Sequence, residues 1–139
     1  MQNFSLPEDI NEVVERIKGP AQDFAGKTIL LTGGRGFLGR YFMEVFDKLN
    51  KDILEKPAQL IVLDNLITAG EEGAQIPDHD HIEFVQHDVI KPFDYDGKLD
   101  YVIHAAGIAS PFYYRAYPME TLEVAITGTR NMLELAEKS

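Results

Sequence analysis

A glycine-rich run sets strong limits on how this 139-residue chain can fold. Gly33, Gly36 and Gly39 directly follow the apolar stretch 28–32 and precede an amphipathic segment. This order predicts a strand, a tight turn and a helix whose first turn presents unpaired backbone N–H groups. Those groups and the positive end of the helix dipole attract phosphate oxygens. The run therefore predicts a nucleotide pyrophosphate at the start of this helix.

Two spacings can be read in the same run, because Gly34 also lies two residues before Gly36. The spacing from Gly34 is the common dinucleotide fingerprint, and the spacing from Gly33 is a wider variant. Either one provides a tight turn, a close backbone approach to phosphate, and close packing of helix on strand at Gly39. Arg35 either adds local positive charge to this turn or is an ordinary surface arginine.

The composition argues against several other classes of protein. The formal net charge of −10 disfavours a nucleic-acid-binding surface, which needs clustered Lys and Arg. The absence of cysteine excludes disulfides, thiolate nucleophiles and cysteine-ligated metal. The N-terminal segment is acidic, unlike a signal peptide, and no apolar run reaches membrane-spanning length. We therefore expect a soluble, cytoplasmic protein with no membrane or nucleic-acid partner.

Hydrophobic periodicity predicts alternating helices and strands. The predicted elements are a helix from a Ser5–Glu8 capping box to Gly19-Pro20, a strand at 27–32, a helix at 37–50, strands at 59–64, 82–86 and 99–104, and a helix from Pro118 onwards, with 66–81 as a loop. The pattern predicts an α/β fold, a Rossmann-type parallel sheet of order 3-2-1-4 flanked by helices. Residues 1–25 are then an accessory helix and linker, and residues 26–139 are the nucleotide-binding domain.

Two amphipathic faces are predicted to pack into the core. The N-terminal helix would bury Ile10, Val13, Val14 and Ile17. The helix at 37–50 would bury its aromatic stripe against the sheet, namely Phe37, Leu38, Tyr41, Phe42, Val45, Phe46 and Leu49.

Acidic and small residues follow the other predicted strands. Asp64 can accept hydrogen bonds from ribose hydroxyls and repel a 2′-phosphate, which favours NAD over NADP, or it is a plain strand-ending aspartate. Asp88 and the Val89 backbone can bond the adenine ring, although a solvated aspartate fits the spacing nearly as well. The small residues 105–107 let a nicotinamide ribose lie against the backbone, or they form a simple tight turn.

The histidines give weaker signals. Asp78-His79-Asp80-His81 contains potential metal ligands, but the four are adjacent in a polar loop, so we expect no metal site. His87 is ambiguous. His104 ends a buried strand, and we expect a hydrogen-bonded core residue there rather than a catalytic base.

Taken together, five segments resemble the extended short-chain dehydrogenase/reductase family, the NAD-dependent epimerases and dehydratases of nucleotide sugars. They are the glycine run 32–39, then 64–66, 87–89, 104–107 and 128–136. The segment Ala109-Ser110-Pro111 with Tyr114 is most similar to UDP-glucuronate decarboxylases, and dTDP-glucose 4,6-dehydratases are also similar.

The resemblance implies NAD as cofactor and a nucleotide-sugar substrate that passes through a 4-keto intermediate. The candidate cofactor-binding residues are Gly33, Arg35, Gly36, Phe37, Leu38 and Gly39 at the pyrophosphate, Asp64 and Asn65 at the adenosine ribose, Asp88 and Val89 at the adenine, and Ala105, Ala106 and Ala109 beside the nicotinamide. The resemblance also implies that Ser110 and Tyr114 lie near the sugar.

Family chemistry needs a Tyr-x-x-x-Lys pair, in which the lysine lowers the pKa of a tyrosine that acts as general base. None of the six tyrosines here is followed by lysine four residues later, and Ala125 stands where relatives often have asparagine. In the family that pair comes one strand and one helix further on. We therefore expect an N-terminal part that stops before the fifth strand and has no catalytic residue of its own. An uncovered fourth strand would favour a homodimer or other self-association.

Two other functions stay open on sequence grounds. One is a non-catalytic NAD-binding or sensing module. The other is an S-adenosylmethionine-dependent methyltransferase, which also has a glycine-rich first turn and an acidic residue after the second strand, although segments 105–107 and 128–129 have no role there.

Overall fold

The computed structural model describes residues 7–69 and 78–139, and its centre is a four-stranded parallel sheet. The strands are β1 (Thr28–Thr32), β2 (Gln59–Asp64), β3 (Ile82–Gln86) and β4 (Tyr101–His104). Their spatial order is β3-β2-β1-β4. The predicted Rossmann-type sheet and its strand order are confirmed.

Five α-helices flank this sheet in the described part of the chain. They are α1 (Pro7–Ile17), α2 (Phe37–Asp52), α3 (Pro111–Ala116), α4 (Pro118–Glu123) and α5 (Thr129–Lys138). A short 3-10 helix, Pro20–Phe24, follows α1, and a π-helical turn, Val124–Gly128, joins α4 to α5. The sequence prediction missed α3, the 3-10 helix and the π turn. No helix in the described ranges is long and apolar enough to cross a membrane.

The core consists of two apolar clusters, one on each face of the sheet. Successive side chains of a strand point to opposite faces, so β1 supplies both clusters. Leu31 packs with Phe46 of α2 on one face, and Leu30 packs with Met132 and Leu135 of α5 on the other. This burial on both faces explains why β1 and β2 are continuously apolar.

The aromatic stripe of α2 is buried only in part. Val45, Phe46 and Leu49 are buried as predicted, but Phe37 is 64% exposed and Leu38 is 62% exposed. The prediction was wrong at these two positions because the first turn of α2 begins beyond the carboxyl end of β1, where the sheet offers no surface for packing.

The N-terminal helix packs against α2, and its predicted apolar face is only partly correct. Ile10 and Val14 are buried in the α2-side cluster, whereas Val13 is 38% exposed. The Tyr41 hydroxyl of α2 donates to an Asp9 carboxylate oxygen at 3.1 Å, which adds a polar link between the helices. Ser5 of the predicted capping box and residues 70–77 of the predicted loop lie outside the described residues.

Candidate functional site

A pocket opens at the carboxyl ends of the four strands, beside the point where the chain order reverses between β1 and β4. Ligands of open α/β sheets bind in such a crevice. Its lining residues are Gly33 and Gly36 after β1, Leu63, Asp64, Asn65, Ile67 and Thr68 around the end of β2, His87, Asp88, Val89 and Ile90 after β3, Ala105, Ala106, Gly107 and Ile108 after β4, and Glu120 and Val124 from the C-terminal helices.

The glycine turn resolves which of the two spacings faces the pocket. Gly33 and Gly36 line it, whereas a Cβ on Gly34 would lie 2.0 Å from the Val62 side chain beneath. Gly33 has φ of +72°, and a Cβ there would lie 2.7 Å from the Ala105 carbonyl oxygen. Only glycine satisfies both constraints at position 33. The wider spacing is therefore the one that builds the pocket floor.

Gly39 brings α2 onto this turn. A Cβ at position 39 would lie 2.1 Å from the Gly33 carbonyl oxygen, so no other residue type permits the observed approach. Gly36 is the N-cap of α2, and no side chain caps the helix there. The first turn of α2 thus begins at the pocket wall without a side-chain cap, an arrangement that suits an anion.

The Asp64 carboxylate is held by two backbone donors. One oxygen accepts from the Arg35 N–H and the other from the Leu66 N–H, both at 2.8 Å. Asn65 is bonded in the same loop, where its side-chain oxygen accepts from the Ile67 N–H at 3.1 Å. Asp64 is thus an ordered, oriented acceptor at the pocket wall.

Arg35 is buried, so it is not a surface arginine. Burial lowers the pKa of its guanidinium, as does neighbouring Arg40, while Asp64 and Glu44 act in the opposite direction. Its side chain is not among the pocket-lining groups of the described chain. Its best-defined contact with the site is the backbone bond to Asp64.

The turn after β3 is fixed from two sides. Asp88 closes it with a side-chain oxygen that accepts from the Ile90 N–H at 3.2 Å. The Val89 carbonyl oxygen accepts from the Asn131 side-chain amide of α5 at 2.8 Å. A Cβ on Gly128 would lie 2.9 Å from the Val89 side chain, so the π turn brings α5 close to this loop. Asn131 was not among the site residues predicted from the sequence. A signal was present, because Asn131 lies three residues after Gly128 and so lies on the same side of the helix, facing the Val89 loop.

The segment after β4 is bonded to the end of β1. The Ala105 N–H donates to the Thr32 carbonyl oxygen at 3.2 Å, and the Ala106 N–H donates to the Thr32 hydroxyl oxygen at 3.1 Å. That oxygen also lies 2.7 Å from Nδ1 of His104. Burial lowers the pKa of His104, which favours its neutral form.

Seven predicted site residues, Arg35 among them, are not lining residues of the pocket. Phe37 and Leu38 point their side chains outward, Gly39 is buried behind the turn, and Ala109, Ser110 and Tyr114 are not lining residues, although Tyr114 begins the backbone bonding of α3 with its N–H to the Ser110 carbonyl at 2.9 Å. These seven positions therefore contribute by backbone or packing, or lie beyond the pocket.

Several lining residues were missed by sequence reasoning because tertiary packing alone brings them to the wall. Glu120 and Val124 come from helices about 15 or more residues beyond β4, and Thr68 lies past the turn that follows β2. His87, which the sequence left ambiguous, also lines the pocket; its Nε2 lies 3.0 Å from the Lys91 carbonyl oxygen, and its ring packs edge-on against Phe93. No periodic pattern signals such positions.

The Asp78–His81 run has a different environment. Nδ1 of His79 lies 3.4 Å from the Asp47 carboxylate of α2, which also pairs with Lys51 at 2.6 Å. In residues 7–69 and 78–139, no group of three or more His, Asp or Glu side chains is arranged to hold a metal ion.

Residues 29–139 match the model of the NAD dependent epimerase/dehydratase family. The chain belongs to this family. Among curated family relatives, UDP-glucuronic acid decarboxylase 6 of Arabidopsis thaliana is 34% identical over 79% of this chain and 30% of its own length. UDP-glucuronic acid decarboxylase 1 of Danio rerio is 36% identical over 81% of this chain and 25% of its own length. The chain thus spans less than a third of these family relatives.

Solved structures support the same fold. A UDP-N-acetylglucosamine 4-epimerase from Methanobrevibacter ruminantium, in complex with UDP-N-acetylmuramic acid, has a TM-score of 0.61 and 24% identity over 82% of this chain and 35% of its own. DesIV, a dTDP-glucose 4,6-dehydratase of Streptomyces venezuelae with NAD bound, has the same score and identity over 80% of this chain and 36% of its own. Helix α1 precedes the part that matches the family model.

Proposed function

We propose that this chain is the NAD-binding portion of a nucleotide-sugar epimerase, dehydratase or decarboxylase. The observation that carries the proposal is the ordered Asp64 carboxylate beside the pocket floor of Gly33 and Gly36. A carboxylate at the end of the second strand accepts ribose hydroxyls, and a glycine turn before a helix accepts pyrophosphate. The pocket combines both features at one edge of the sheet.

The pyrophosphate is placed by this proposal at the start of α2. The turn from Gly33 to Gly36 lets the backbone approach phosphate oxygens, and the uncapped first turn supplies positive potential. Phe37 and Leu38 then contribute through the main chain, since their side chains are exposed. Gly39 acts by packing.

The adenosine half of the cofactor occupies the β2–β3 side. Asp64 and Asn65 take the ribose, while Asp88 and the Val89 backbone take the adenine. Internal hydrogen bonds already fix the loops that follow β2 and β3, so binding costs little conformational entropy in them. The negative charge of Asp64 opposes a 2′-phosphate, which favours NAD over NADP.

The nicotinamide half lies over the segment after β4, against Ala105, Ala106 and Ala109. Bound NAD supplies reversible hydride transfer for oxidation and reduction at the sugar. This chain's residues hold and orient the cofactor, and Ser110 with Tyr114 lies on the side from which the sugar approaches. The whole-protein substrate is proposed to be a nucleotide sugar, in line with the names of the curated relatives.

A second candidate is a non-catalytic NAD-binding module. Both candidates need the same NAD site. They differ in whether the chain works with a catalytic segment.

We also propose that the chain self-associates through its C-terminal helices. Large apolar side chains are exposed there at helical spacing, namely Met119, Leu122, Ile126 and Leu133. Exposed apolar stripes of this kind mark interaction surfaces.

Thermal unfolding with added ligand tests the proposed function. NAD at 1 mM is expected to raise the melting temperature, because a ligand that binds only the native state stabilises it. NADP should have a smaller effect and S-adenosylmethionine none. Stabilisation by S-adenosylmethionine alone would overturn the proposal.

A further inference from the structure

A partly buried hydrogen-bond chain joins the ends of β1 and β4 beside the pocket. Thr32 and His104 are directly paired in the parallel register of these strands. The Thr32 side chain is fully buried, and its hydroxyl oxygen lies 2.7 Å from Nδ1 of His104 and 3.1 Å from the Ala106 nitrogen. The chain therefore runs from the Ala106 backbone through Thr32 to the imidazole.

The direction of the protons follows from the chemistry of the three groups. The Ala106 N–H can only donate, so the Thr32 oxygen accepts from it. The hydroxyl proton of Thr32 then needs an acceptor, and among the described residues only Nδ1 of His104 is bonded to this oxygen besides Ala106. Nδ1 must be unprotonated to accept it, which leaves the proton on Nε2.

The segment held by this chain touches the glycine turn. Ala105 and Ala106 lie so close to Gly33 that a Cβ at position 33 would come within 2.7 Å of both. All three residues line the pocket. A displacement of the segment after β4 would therefore deform the pocket at two of its walls.

We infer that Thr32 and neutral His104 are positioning residues for the cofactor, which hold the Ala105-Ala106 segment against Gly33 and release it when His104 is protonated. This inference rests on the proposed NAD site. Protonated His104 would donate from Nδ1, and the buried Thr32 proton would lose its acceptor. The unsatisfied hydroxyl would then favour a different position of the segment.

The surroundings of His104 place this switch on the acidic side of neutral pH. Burial lowers the pKa of His104 from its ordinary 6.5, so the neutral form dominates at pH 7. Among the described residues His104 forms no ion pair, and its side-chain hydrogen bond is the one to Thr32. Protonation therefore occurs only as the pH falls below that ordinary value.

The test is NAD affinity measured by calorimetry from pH 8 to pH 5 on the full chain. Wild-type affinity is expected to fall about tenfold as His104 is protonated, which corresponds to the loss of one buried hydrogen bond. Thr32→Val should bind about tenfold more weakly at pH 8 and show little further change. Thr32→Ser keeps the hydroxyl and should restore both the affinity and the pH profile.

Histidine variants separate this effect from other titrations. His104→Asn keeps a non-titrating acceptor and should remove the pH dependence. His79→Gln changes a histidine that lies beside Asp47 of α2, away from the pocket, and is expected to keep the pH dependence. Nitrogen NMR of the wild-type imidazole should show the proton of His104 on Nε2 at pH 8, a readout that needs neither NAD nor a variant.

The outcomes distinguish the inference from the proposed function. If Thr32→Val binds NAD with the affinity and pH profile of the wild type, the inference is overturned and the proposed function is not. A proton found on Nδ1 of His104 has the same consequence. A wild-type chain that binds no NAD at any pH would overturn the proposed function and this inference with it.

Discussion

The backbone N–H of Arg35 donates to the Asp64 carboxylate at 2.8 Å, which ties the glycine turn after β1 to the end of β2. The second oxygen of the same carboxylate accepts from the Leu66 N–H, so the carboxylate group is held against rotation by a hydrogen bond at each oxygen. Each oxygen keeps a further acceptor position, because an ionised carboxylate has about four. The phosphate and ribose regions of the proposed site are thereby built as one rigid unit.

The close approach at Gly39 gives the first prediction. Gly39→Ala places a methyl group 2.1 Å from the Gly33 carbonyl oxygen, so backbone must move. We expect a loss of at least about 3 kcal/mol in the free energy of unfolding, or no folding. Urea unfolding followed by circular dichroism measures it.

Gly19→Ala is the matched control, since a Cβ there has no atom within 4 Å and the backbone φ is −70°. Its effect should stay within about 0.5 kcal/mol. Equal stabilities of the two variants would contradict the close packing of α2 on the turn.

Asp100 gives a prediction about acid stability. A hydrogen bond from Lys98 and one from the Thr28 backbone lower the pKa of Asp100 to about 2. The folded pKa lies below the ordinary 3.8, so the stabilisation is present above pH 4 and is lost as the pH falls towards 2. Asp100→Asn should therefore lower the melting temperature at pH 6, and the difference from wild type should shrink by pH 2.

Thermal unfolding from pH 2 to pH 7 measures this effect. Asp96→Asn, at an exposed position, should follow the wild type throughout. If the difference in melting temperature between Asp100→Asn and the wild type stays constant with pH, the ionised carboxylate of Asp100 is not the source of the stabilisation.

Asn131 is predicted to support the adenine side of the pocket. Asn131→Ala removes the donor to the Val89 carbonyl oxygen, which should cost about 1–2 kcal/mol of stability. Affinity for NAD should fall several-fold, because the Val89 loop is held less firmly. Arg130→Ala, at an exposed position of the same helix, should change neither quantity. Unchanged unfolding and binding in Asn131→Ala would remove Asn131 from the account.

Charged substitutions on the C-terminal helices test whether the chain self-associates through them. A double variant, Ile126→Glu with Leu133→Glu, places two carboxylates on the exposed apolar stripe and should shift the chain to monomer. Light scattering across protein concentrations measures the mass. Glu134→Gln is the control and should leave the wild-type assembly intact. A wild-type chain that is monomeric at high concentration would contradict the proposal.

Local sequence pattern was sufficient for the sheet but not for the contacts that shape the site. The bounds of β2 and β3 were predicted correctly, because β2 is an apolar run ended by Asp64 and β3 carries three apolar residues between polar segments. The predicted start of β4 at Leu99 was two residues early, since pairing with β1 begins only at Tyr101. The glycine turn was likewise predicted, because its spacing is a local property.

Contacts between distant segments escaped sequence reasoning. Asn131 and Val89 are 42 residues apart, and Thr32 and His104 are 72 apart, so no periodicity reports either bond. The exposure of Phe37 was also missed, because periodicity gives the face of a helix but not where the sheet beneath it ends.

Calorimetric titration of NAD into the wild-type chain and Asp64→Ala tests the central claim most directly. The wild-type chain is expected to bind one NAD. Asp64→Ala is expected to bind NAD with an affinity about 10- to 100-fold lower, since hydrogen bonds to a charged group are lost. Asp96→Ala should bind like the wild type. No binding by the wild type, or equal affinity in the wild type and Asp64→Ala, would contradict the account.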